Sequence, residues 1–153
     1  MDNYIKYIVI PILVVLALTQ VCQADDWMEI HIGSNHAGEG YTNQDGNFQP
    51  YNETNLGVGL MHGLDEHIEV GFGYYENSYN RNSFYTGLDY HTSDRRPIRA
   101  GVSAGIVSGY AGYQAPVIIL PNITMRVCDS ARIKVGYLPG DTGLVTFNMG
   151  VRF

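Results

Sequence analysis

Apolar and polar residues alternate with period two along much of the chain, and most cleanly over 66–90. Ile68, Val70, Phe72 and Tyr74 fall on one side, with His67, Glu69, Gly71 and Gly73 on the other. After a turn at Glu76-Asn77-Ser78-Tyr79-Asn80, Phe84, Thr86, Leu88 and Tyr90 alternate with Tyr85, Gly87, Asp89 and His91. Successive side chains of a strand point to opposite faces, so 66–90 reads as a β-hairpin with two amphipathic arms. Its polar-and-glycine face carries too few bulky apolar groups to make a soluble core. The apolar face is therefore expected to look outward, towards lipid.

The same reading predicts six further strands. Segment 27–35 alternates loosely through Met28, Glu29, Ile30, His31 and Ile32, and 55–62 sets Leu56, Val58 and Leu60 against Gly57 and Gly59. Segment 98–108 puts Ala100, Val102, Ala104 and Ile106 outward and Arg99, Gly101, Ser103 and Gly105 inward. Segment 116–127 is more uniformly apolar and is interrupted by Pro121, which has no N–H for a ladder bond and so marks a weakened seam. In 131–138, Ile133, Val135 and Tyr137 point out and Arg132, Lys134 and Gly136 in. The last strand, 145–153, alternates to a terminal Phe153, the usual ending of a bacterial outer-membrane barrel.

Eight strands of roughly 9–11 residues are enough to span a bilayer when tilted. Closure is required, because lipid offers no partner to an unpaired edge. The fold class expected is an all-β, eight-stranded antiparallel transmembrane barrel in the bacterial outer membrane. The connections 36–54, 76–81, 109–115 and 138–142 form the longer set and should face the cell exterior, with shorter turns at the periplasmic end.

The start of the chain changes this picture only by subtraction. Segment 7–18 is an almost unbroken apolar run, and Val21-Cys22-Gln23-Ala24 resembles a cleavage site, so 1–24 reads as a secretory signal peptide. The barrel domain is then 25–153. It keeps one cysteine, Cys128, which cannot form an internal disulfide. With a net charge of −6 and no basic patch, nucleic acid is not an expected partner. Eighteen glycines and twelve tyrosines suit a sheet with aromatic girdles. A single closed barrel of this kind is expected to be a monomer.

No zinc pattern, phosphate loop or nucleophile elbow is present, and no cofactor or metal is called for. His36 and Ser78 fall at the exterior rim, at the end of the first strand and just after the third, and could meet across the mouth. A histidine can take a proton from an attacking hydroxyl, and a serine can be acylated or position the acceptor. Polar residues at a barrel mouth are usually just solvated, and that bland reading stands beside the catalytic one.

Several motifs resemble the PagP-type lipid A palmitoyltransferases. Tyr51-Asn52-Glu53 with Gly57-Val58-Gly59-Leu60 is similar to that family's second strand, and Asn77-Ser78-Tyr79-Asn80-Arg81 to its Asp-Ser-Phe-Asn-Lys turn. Pro116-Val117-Ile118-Ile119-Leu120-Pro121, Tyr137-Leu138-Pro139-Gly140 and Met149-Gly150-Val151-Arg152-Phe153 resemble its later strands, in the same order. The resemblance implies an outer-membrane enzyme that moves an acyl chain from a phospholipid donor to lipid A. It makes His36 and Ser78 the functional pair, with Asn77 as the group that orients the histidine. Pro121 and Pro139 would match the prolines that open a lateral gate between strands six and seven.

The chain departs from that pattern in three places. The acid beside the serine is Asn77, and a neutral amide cannot stabilise an imidazolium by charge. The glycine flooring the family's acyl pocket falls at Asp89, which should pair with Arg99, Arg132, Lys134 or Arg152 and shorten the slot. The segment before the first strand leaves no room for an amphipathic clamp helix, and Asn55 replaces one further gate proline. Two functions follow as expectations: an acyltransferase, or a non-enzymatic small barrel that alters the cell surface by binding. A lipid A deacylase also uses His and Ser at a barrel rim, but its lipid-facing motif is not visible here.

Overall fold

The structure is a computed structural model that describes residues 26–43, 45–92, 97–110, 116–139 and 143–153. The expected leader at 1–24, the Gly140-Asp141 turn and most of the 109–115 loop lie outside the described residues. Among the described residues ten strands occur: β1 (Asp26–His36), β2 (Gly40–Thr42), β3 (Phe48–Pro50), β4 (Gly57–Gly63), β5 (Ile68–Glu76), β6 (Asn82–His91), β7 (Ile98–Val107), β8 (Val117–Cys128), β9 (Ala131–Leu138) and β10 (Leu144–Arg152). All but β2 and β3 form one closed barrel in the order β1-β10-β9-β8-β7-β6-β5-β4, each neighbour antiparallel. The eight barrel strands start and stop within two residues of the sequence expectation.

The burial pattern is inverted, as alternation predicted. Among the described residues only Trp27, Met61 and Val107 are buried apolar side chains, against sixteen buried polar or charged ones. Phe72, Phe84, Leu88, Ile106, Ile119 and Ile123 stand exposed on the outside. Such a surface would aggregate in water and is stable only against hydrocarbon. On that outer face Thr86 satisfies its hydroxyl locally, donating to the Gly71 carbonyl at 3.0 Å. Among the described residues no helix is long and apolar enough to cross a membrane.

Two details depart from simple alternation. Ile32 is an extra residue in β1: the ladder to β10 runs His31↔Asn148 and then Gly33↔Phe147. Such a bulge shifts the phase of every side chain after it. Before it Trp27, Glu29 and His31 point inward; after it Ser34 and His36 do, while Asn35 is exposed. The second is a small hairpin, β2 with β3, inside what alternation left as a polar segment.

Glycines on the inner face make room for larger neighbours. Side chains at Gly59 and Gly73 would overlap Tyr85, and one at Gly71 would overlap Met61. Gly57 is tighter still, since a Cβ there would strike the Tyr74 carbonyl and lie 2.5 Å from Tyr75 Cα. Backbone cannot swing away as a side chain can, so Gly57→Ala should destabilise the folded barrel by about 1–3 kcal/mol in a urea titration.

Candidate functional site

The interior is built in layers, and the lowest is ionic. Inward positions of β1, β5, β6, β7 and β9 supply Glu29, Glu69, Asp89, Arg99, Arg132 and Lys134, three acids and three bases, all buried. Arg132 grips Glu69 with two bonds, Nη1–Oε1 at 2.6 Å and Nη2–Oε2 at 2.8 Å, and reaches Glu29 at 3.4 Å. Arg99 Nη2 lies 3.3 Å from Glu69 Oε1, and His91 joins the same carboxylate at 3.4 Å. Lys134 Nζ sits 2.6 Å from both Glu29 Oε1 and Asp89 Oδ2, and Asn122 Nδ2 donates to Asp89 Oδ1 at 3.0 Å. Trp27 closes the layer from below, its ring 4.4 Å from the Arg132 guanidinium carbon. Buried charges persist only when paired, and here they are.

Above this plug lies a cavity of about 320 Å³, running from Glu29, Asp89 and Lys134 up to His36, Tyr51, Ser78 and Pro139 at the exterior rim. His31 occupies its middle, stacked on Tyr75 at 5.3 Å with Nε2 2.9 Å from the Tyr85 hydroxyl.

At the rim the bulge in β1 turns His36 inward, where its side chain is 5% exposed. Its Nδ1 lies 3.1 and 3.2 Å from the two Glu53 carboxylate oxygens, and its backbone N–H donates to Oε1 at 3.1 Å. An ionised carboxylate only accepts, so Nδ1 carries the hydrogen and Nε2 is left for chemistry. Tyr51 stacks on the imidazole at 4.1 Å and 14°. Ser34, also turned inward by the bulge, shares its hydroxyl between Asn55 Oδ1 and Glu53 Oε2, the latter at 3.3 Å.

Segment 51–56 ties the histidine side of the mouth to the serine side. The Glu53 carbonyl accepts from Ser34 N–H at 2.9 Å, while Asn52 N–H donates to the Ser78 carbonyl at 2.9 Å. Asn55 Nδ2 donates to the Asn52 and Glu76 carbonyls, both at 3.1 Å. His36 and Ser78 thus flank one strap and line one cavity, although no hydrogen bond joins them among the described residues. Over them sit Tyr41, Tyr51, Tyr79 and Tyr110, ring against ring at 4.4–5.9 Å. Burial and the neighbouring phenols raise the pKa of the Tyr79 hydroxyl above its ordinary value.

Asn77 is wholly buried, and its side chain is hydrogen-bonded to the turn and to neighbouring residues, with no bond to an imidazole among the described residues. Its Oδ1 accepts from the Tyr79 and Arg81 N–H groups at 2.9 and 3.1 Å, and its Nδ2 donates to Ser83 Oγ at 2.9 Å and the Gly109 carbonyl at 3.1 Å. This folds the β5–β6 turn and lets Asn80 adopt a φ of 55°, which asparagine tolerates better than most residues. The carboxylate touching His36 is Glu53, a residue that alternation could not single out within the aperiodic 36–54 stretch. Asn77→Asp should therefore disturb the turn. It would set an anion against the Gly109 carbonyl and destabilise the barrel by about 1–3 kcal/mol on urea unfolding. An Asn77→Asp barrel as stable as the wild type would show instead that the turn tolerates the anion.

Pro121 lies where a ladder stops. β8 pairs with β7 from Ile98↔Met125 to Ile106↔Val117, but its pairing with β9 begins only at Asn122↔Gly136. β9 continues to Leu138 against β10. Residues 117–121 are therefore zipped on one side only, and Pro139 sits at the top of the gap, on the cavity wall.

No protein-family profile matches this chain, and no curated protein matches it either. Among solved structures, a de novo designed transmembrane β-barrel aligns with 12% identity over 86% of this chain and 98% of its own, at a TM-score of 0.62. The N-terminal β-barrel domain of Pseudomonas aeruginosa OprF aligns with 15% identity over 84% of this chain and 96% of its own, at 0.51. The fold is that of an eight-stranded outer-membrane barrel. At such identities the likeness concerns the fold alone. The apolar girdle around a polar lumen is that of a barrel seated in a membrane. Within this barrel the sequence-derived residues His36, Ser78 and Pro139 share the upper cavity, Asp89 shares its floor, and Pro121 borders the open seam.

Proposed function

We propose that this barrel is a PagP-like acyltransferase that moves an acyl chain from a phospholipid to lipid A. The observation that carries the reading is the His36–Glu53 contact at the mouth of a cavity shared with Ser78. Neutral Asn77 leaves the turn without the acid that the resemblance calls for, and Glu53 supplies that charge from the other side of the mouth. In the reaction, a lipid A hydroxyl gives its proton to His36 Nε2 and attacks the ester carbonyl of the phospholipid. The ester C–O bond then breaks, and the departing lysophospholipid oxygen takes the proton back. In this direct transfer Ser78 holds the acceptor hydroxyl in place. The unzipped stretch of β8 beside Pro121 and Pro139 gives a lipid tail a sideways route into the cavity. The enzyme acts as a monomer, since the lumen and its mouth come from one chain.

A lumen plugged by ions favours a second reading, in which the barrel alters the cell surface by binding alone. Mass spectrometry of lipid A from outer membranes with and without the protein separates the two. A gain equal to one acyl chain, abolished by His36→Ala and by Ser78→Ala, is the expected result. An unchanged profile from a correctly inserted barrel would establish the binding reading.

A further inference from the structure

The cavity is apolar above and polar below, and the polar part is not fully satisfied from within. On β8 the inward residues change from Ile118 and Leu120 to Asn122 either side of Pro121. At the lower end stand Ser103, Lys134 and Asn148, with His31 and Thr146 above them, all on the cavity wall. An ammonium has three donors, and Lys134 directs two of them at Glu29 and Asp89, which leaves one N–H among the described residues. Ser103 Oγ accepts from Asn122 Nδ2 at 2.9 Å and keeps its own hydrogen to give. Thr146 Oγ1 is buried with no partner among the described residues. A hydrocarbon end pressed on these groups would displace water and leave them unpaired, whereas a hydroxyl would replace it.

Depth sets the length. From Leu138 to Lys134 is four residues of β9, roughly 13 Å at ~3.3 Å each and about 10 Å in depth at a ~40° tilt. A staggered chain of ~1.5 Å C–C bonds advances roughly 1.25 Å per carbon, so about eight carbons reach the polar floor. We infer that the cavity takes a medium-length acyl chain bearing a hydroxyl at its buried end. This rests on the acyl-transfer reading for the source of the chain, but the polar floor stands independently of it.

The test uses the full chain folded in detergent, titrated calorimetrically with 8-hydroxyoctanoate and with octanoate. The hydroxylated probe should bind at least about tenfold tighter, as for sites whose buried groups are lined up for a hydroxyl. Ser103→Ala and Asn148→Leu, both outside the proposed catalytic pair, should erase that preference. Equal binding of the two probes, or none of either, overturns the inference. A parallel assay offers two phospholipid donors that differ only in that hydroxyl. If both donors transfer equally, the inference falls and the acyltransferase stands. If the hydroxylated probe binds tenfold tighter and neither donor transfers, the inference stands and the acyltransferase falls.

Discussion

Glu53→Gln should lower the proposed acyl transfer about 10²–10⁴-fold while leaving the barrel folded, as neutral replacements of a histidine-orienting carboxylate do elsewhere. The amide keeps the size of Glu53 and one acceptor oxygen, but it replaces the other with an N–H₂ that cannot accept from His36 Nδ1. It also removes the negative charge that would stabilise the imidazolium formed when Nε2 takes a proton. Glu53 touches His36 through both oxygens and Ser34 through one, yet 40% of its side chain is exposed, so folding depends on it little. Initial rates in lipid vesicles, measured beside folded fractions, separate catalysis from stability. A variant that transfers at the wild-type rate would reduce Glu53 to a strap for β1.

Arg132→Met should destabilise the barrel by about 3–5 kcal/mol, the usual result of deleting one member of a buried ion network. The guanidinium is 1% exposed and makes the bidentate bond to Glu69, a longer contact to Glu29 and the stack on Trp27. Without it Glu69 faces the lumen with Arg99 and His91 alone, and Glu29 with Lys134. Trp27, the only tryptophan of the chain, reports unfolding in urea by its fluorescence. Arg132→Met combined with Glu69→Leu should recover part of the loss, because the second change removes the stranded charge. If the single variant unfolds at the wild-type urea concentration, water reaches the plug and screens it.

Strand positions were legible because lipid outside and polar lumen inside impose strict alternation, and a one-residue slip would expose charge to hydrocarbon. The same alternation turned Asp89 and Lys134 inward, and the cost of a bare buried charge then required a partner; the structure pairs them at 2.6 Å. Features that depend on breaking the rule were hidden. The extra residue at Ile32 leaves no compositional mark, yet it points His36 and Ser34 into the mouth. The β2–β3 hairpin has three-residue arms, too short for period two to show. Glu53 lies seventeen positions from His36 in a stretch without periodicity, so only the fold brings them together. A family likeness makes Asn77 an orienting group, whereas its four side-chain hydrogen bonds, visible only in the fold, tie it to the turn and to Ser83 and Gly109.

The ionic plug also governs the order of assembly. Its acids come from β1, β5 and β6, and two of its three bases from β9; Arg132 meets Glu69 across 63 positions and Glu29 across 103. A sheet that curls shut before β9 arrives encloses carboxylates with too few cations and must let water back in. Premature closure is thereby penalised, and the barrel seals once its penultimate strand is in register.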